Sequence, residues 1–150
     1  MPYLFCIPGL LCGLALAIED IRCRRIPLRW VIAGSVLELI AVIACGVMDN
    51  DLFVIVQAIL FAALCSMVQL ALAMAVPRAM GMGDVTAMLP MGLSLGLLGL
   101  IPVVTWWLAM GITGLGWIAM WTHWDPQRHT VYAGKVPYAP VIVVGALIAI

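Results

Sequence analysis

The chain reads as long apolar runs broken by a few short polar stretches. The runs cover residues 3–18, 30–48, 52–76, 85–100, 103–121 and 137–150. A helix that crosses the hydrocarbon layer of a bilayer, about 30 Å thick, needs roughly 20 mainly apolar residues. The pattern therefore predicts an all-α, polytopic integral membrane protein with about six transmembrane helices, in one domain over residues 1–150. The fourth and fifth runs are split at residues 99–102 by a glycine and a proline, a turn signal. The sixth run is short for a full crossing. It either borrows residues from Val131 onward or reaches only partway.

Composition sharpens this picture. The chain is 66% hydrophobic and 9% charged, with a mean hydropathy of +1.21. A soluble domain is about 45–50% apolar and about 25% charged. A fold of this size has too little interior to hide so much apolar surface, so its main solvent is lipid. The formal net charge is zero, which argues against a nucleic-acid partner. Five cysteines stand at positions 6, 12, 23, 45 and 65, none in a Cys-x-x-Cys pair. They give no support to a metal site, and four of the five lie in apolar runs, where cysteine behaves as a small hydrophobe.

The charges orient the chain. Arg22, Arg24, Arg25 and Arg29 follow the first run, Arg78 follows the third, and Arg128 and Lys135 follow the fifth. The even-numbered loops hold Asp49 and Asp51 and no cation. This is a positive-inside pattern, which puts the N-terminus outside and the odd loops in the cytoplasm. The arginine cluster is thus first a topology determinant, and it is also suited to anionic lipid headgroups.

Two acids stand out from the seven. Asp20 follows directly on the first run and Asp84 opens the fourth, so the topology sets both at the cytoplasmic end of the bundle. Acids at a membrane boundary are costly and usually face a bundle interior or a wet cavity. Two carboxyls a few ångströms apart cannot both ionise easily, so such a pair holds one proton between them. That is the chemistry of an aspartic protease. Gly81 and Gly83, just before Asp84, permit positive φ and close backbone approach. The plainer alternative is a glycine-rich turn with Asp84 capping the next helix. Glu38 lies mid-run, 18 residues from Asp20, and its depth points to helix–helix hydrogen bonding or a buried wet pocket. The spacing of Gly92 and Gly96 suits close helix packing.

Three segments carry a resemblance. "EDIRCRRIP" (residues 19–27), "GMGDVTAML" (81–89) and "GKVPYAP" (134–140) resemble, in order, motifs of the type IV prepilin peptidases, membrane aspartic proteases of the Gly-x-Gly-Asp kind. The resemblance implies that Asp20 and Asp84 are the catalytic pair, supported by Gly81 and Gly83. It also implies a role near substrate or lipid for Arg22, Arg24, Arg25, Pro137 and Pro140. It implies an endopeptidase of the bacterial inner membrane, active at the cytoplasmic face, that cuts the basic leader from type IV pilin-like precursors without a cofactor or metal. The chain looks like the short, peptidase-only form found with Flp-type (tight adherence) pilus systems, with no separate methyltransferase region. Thr86 stands where the family commonly has lysine, Leu28 where it often has asparagine, and Tyr138 where it usually has phenylalanine. A small transporter or channel with an aspartate pair, or a non-catalytic scaffold of a secretion or pilus machine, are the alternative readings.

Overall fold

The computed structural model describes residues 2–75, 81–124 and 136–150. Among these residues a 3-10 turn, Pro2–Cys6, precedes six α-helices: α1 (Ile7–Cys23), α2 (Leu28–Met48), α3 (Leu52–Ala75), α4 (Met82–Leu98), α5 (Leu100–His123) and α6 (Ala139–Ala149). The all-α polytopic architecture expected from the apolar pattern is the one adopted. Four helices are long and apolar enough to cross a membrane: α1 together with its 3-10 turn, α2, α3 and α5. α4 has 17 residues and α6 has 11. At 1.5 Å per residue these are roughly 25 Å and 16 Å long, and only α4 approaches the thickness of the hydrocarbon core. Arg78, Met80, Asp125, Arg128, His129 and Lys135 lie outside the described residues.

Local chemistry sets the helix ends. Pro27 is the N-cap of α2 in an extended conformation (φ −68°, ψ 116°), a backbone that its ring favours. Asn50 turns the chain between α2 and α3 with φ of 52°, a conformation that asparagine tolerates better than most residues. Gly99 alone separates α4 from α5, at φ 106°, where a side chain would be strained. The sequence pattern began the fifth span at Val103. The helix instead starts at Leu100, because Pro102 falls in the first turn, where its missing N–H is no loss. α1 also outruns its apolar stretch, so Asp20 lies in the last turn of the helix rather than after it.

α4 is the hub of the bundle. It packs against each of the other five helices, and its buried residues lie all round it, from Asp84 to Leu97. Small residues make this possible. A Cβ at Gly92 would sit 2.7 Å from the Ala62 Cα, and one at Gly96 would sit 2.9 Å from the Ala58 Cα. The helix backbones of α3 and α4 therefore touch, as the four-residue spacing suggested. The Gln57 amide adds a 2.8 Å hydrogen bond to the Gly96 carbonyl. The outer helices turn Leu37, Leu60, Ile112 and Leu115 outward, as a chain solvated by lipid should. Trp106 is fully buried and donates to the Ile142 carbonyl at 2.8 Å, which ties α6 to α5.

Candidate active site

Helix direction brings distant residues to one end of the bundle. The last turn of α1, the first turns of α2, α4 and α6, and the last turn of α5 all meet there. A cavity of about 300 Å³ opens at this end, lined by Asp20, Arg24, Arg25, Ile26, Gly81, Gly83 and Asp84. Sequence separation between the two aspartates is 64 residues, yet both carboxyls face this one space and interact electrostatically. They are 7% and 8% exposed. Burial this deep is unusual for a carboxylate unless it is paired or hydrogen-bonded.

Each aspartate has its own backbone donor. Asp84 is the third residue of α4, and its Oδ2 accepts a hydrogen bond from the Gly81 N–H at 3.1 Å. The plainer reading of Asp84 as a cap is thus correct in kind, though Gly81 holds the N-cap position, and capping and cavity lining coexist. Asp20 Oδ2 accepts from the Ala139 N–H at 3.1 Å, across 119 residues of sequence. Ala139 is the first residue of α6, so Asp20 caps α6 and sits at the positive end of its dipole. This bears on the third sequence segment: Pro140 falls in the first turn of α6, where its missing N–H is no loss. The Trp117 indole N–H donates to the Pro137 carbonyl at 2.8 Å, which fixes the approach to that helix.

Arg24 closes α1 with a left-handed backbone, φ 52°. Its guanidinium lies 4.5 Å from the ring centre of Trp121, a cation–π contact, and its charge acts on Asp20. Arg25 lines the cavity as well, whereas Arg22 is exposed and does not. Pro137 and Pro140 are buried in the packing around α6 and do not line the cavity. Tyr138 is half-buried, at the N-cap of α6. The Thr86 hydroxyl, in the place of a lysine, donates back to the Gly83 carbonyl at 2.8 Å.

The two glycines differ. Gly81 is extended, φ −82° and ψ 148°, so the positive φ that glycine permits is not used there. A Cβ at Gly81 would make ordinary contact, 3.6 Å from Asp84 Oδ2. A Cβ at Gly83 would crowd Ile26 Cβ at 3.0 Å. Close approach is therefore real at Gly83, between α4 and the entry to α2.

Sequence reading missed the Ala139 N–H, Trp117 and Trp121. A backbone N–H carries no sequence signal. The nearest hint was Pro140, which marks a helix start with free donors ahead of it. The arrangement as a whole sets two buried carboxyls on the wall of one small polar cavity.

No curated protein and no solved structure matches the chain. A family model described as the type IV leader peptidase family matches residues 7–119. That range holds both aspartates and stops short of the Pro137–Pro140 segment. On that match, which covers most of its length, the chain belongs to the type IV leader peptidase family.

Proposed function

We propose that the protein is a membrane aspartic endopeptidase that removes the basic leader from type IV pilin-like precursors, with Asp20 and Asp84 as its catalytic pair. Family membership supports the peptidase class. The observation that carries the rest is the convergence of two buried carboxyls, from the end of α1 and the start of α4, on one polar cavity.

In this reading water attacks the scissile carbonyl. The ionised member of the pair takes the proton from water while the protonated member hydrogen-bonds the carbonyl oxygen. The new C–O bond forms, the C–N bond breaks, and the leaving amine takes up a proton from the pair. The cavity lies at a helix-end level, where Arg24 and Arg25 suit the headgroup layer. A precursor would lay its apolar helix in the bilayer and bring the junction with its basic leader to this level. The arginine pattern of the sequence supports a cytoplasmic face for the site, and the resemblance to prepilin peptidases supports a bacterial inner-membrane location.

The test is co-expression with a panel of pilin-like precursors, scored for the shortened product. Asp20→Asn and Asp84→Asn should each abolish processing while the protein stays in the membrane. Processing that survives in either variant would remove the pair from the chemistry.

A further inference from the structure

A third acid is buried deeper in the bundle. Glu38 is 0% exposed and lies ten residues into α2. That is about 15 Å along the helix at 1.5 Å per residue. The count of 18 residues from Asp20 overstates the separation, because the chain reverses between α1 and α2. Its Oε2 accepts from the Gly9 N–H at 2.7 Å. Gly9 is the third residue of α1, whose N-cap, Cys6, makes no side-chain cap bond. First-turn N–H groups have no partner within their own helix, and a bilayer offers no water to replace one. Glu38 thus caps α1 from a neighbouring helix.

The side chain of Ser94 on α4 lies close to the same carboxyl. The Ser94 hydroxyl also reaches the Pro90 carbonyl at 3.0 Å. A Cβ on Gly9 would collide with Ser94 Oγ and come to 3.0 Å from both Glu38 Oε2 and the Pro90 carbonyl oxygen. α1 and α4 are therefore in contact here, with Glu38 between them. The second oxygen, Oε1, has no hydrogen-bond partner among the described residues. The carboxyl is retained at a depth where an apolar side chain would be cheaper.

This joint is nearly equidistant from the two aspartates. Asp20 lies 11 residues along α1 from Gly9, and Asp84 lies ten residues along α4 from Ser94. Both are about 15–17 Å of helix. A slide of α1 against α4 at the joint would carry through two stiff helices to the cavity. We propose that Glu38 is a positioning residue: it sets the register between the helices that carry Asp20 and Asp84. The inference rests on the proposed catalytic pair for its effect on activity, but not for its effect on geometry.

Glycine-selective ¹⁵N labelling of the full chain in detergent micelles separates the two. Gly9 reports the joint, and Gly81 and Gly83 report the cavity. In Glu38→Leu the Gly9 amide signal should move, and so should those of Gly81 and Gly83. Glu38→Gln keeps an acceptor of the same shape and should leave Gly81 and Gly83 at their wild-type positions. In the cleavage assay Glu38→Leu should lower kcat at least about tenfold with KM within about threefold, since small misplacements cost rate more than binding. Glu38→Gln should restore kcat to within about threefold. Unmoved Gly81 and Gly83 signals in Glu38→Leu would overturn the proposal, as would a Gln variant as impaired as Leu. Should the Leu variant fail to accumulate, Ser94→Ala takes its place. It should move the same two cavity signals less far, and unmoved signals would count against the register. If those signals shift as expected while Asp20→Asn still processes precursor, the register holds and the catalytic assignment fails.

Discussion

Two acidic centres share the same pair of helices and are built in opposite ways. Asp20 and Asp84 sit at the end of the bundle, beside a cavity with two arginines on its wall. Glu38 sits in the middle, fully enclosed, with the backbone N–H of Gly9 as its partner at 2.7 Å. All three are buried, so burial does not separate them. What differs is the space in front of each carboxyl. The aspartates face room for a bound group and for water. Glu38 faces α1 and α4 and holds them together. An acid in a membrane bundle reads as reactive when it opens on a cavity and as structural when its neighbours are helix backbones.

The sharpest break of this comparison comes at the aspartates. Asp20→Asn or Asp84→Asn should cut the rate of leader removal by about a thousandfold or more, because members of an acid–base pair act as a unit. Glu38→Leu comes next, at least about tenfold in kcat, with rescue by glutamine. A mid-sized effect is expected at the start of α6. Trp117→Phe removes the donor to the Pro137 carbonyl, and an unpaired buried group costs about 1–3 kcal/mol. The variant should lower the melting temperature and reduce cleavage several-fold, because the Ala139 N–H at Asp20 depends on that approach. The glycines give the smallest and most discriminating effects. Gly83→Ala presses on Ile26 and should slow cleavage a few-fold. Gly81→Ala meets nothing closer than ordinary contact and should stay near wild type. Equal loss at both would show that the Gly-x-Gly spacing matters for something besides packing.

Much of this was legible before any coordinates. The apolar runs located all six helices to within a few residues, with the largest miss at α1, which runs to Cys23 where the apolar stretch ends at 18. They did not show that α4 would be enclosed, since lipid and protein interior look alike to hydropathy. Its small residues were the only trace: Gly92 and Gly96 were read as packing, and they lie against α3. The sequence pointed to Asp20 and Asp84 because charge is rare in this chain. It did not show what holds them. The donors are the N–H groups of Gly81 and Ala139, and every residue but proline offers one of those. The same holds for Glu38, whose depth pointed to a bond between helices or a buried wet pocket, while its partner Gly9 had no distinguishing mark. At Gly81 the positive φ that glycine permits goes unused, since the backbone is extended.

The central claim is that Asp20 and Asp84 work as one unit. It is tested most directly by measuring precursor cleavage for Asp20→Asn, Asp84→Asn and the double variant under single-turnover conditions. The account expects the double variant to be no slower than either single one, since losing one member already disables the pair. Losses that multiply in the double variant, or a single variant that keeps its rate, would contradict it.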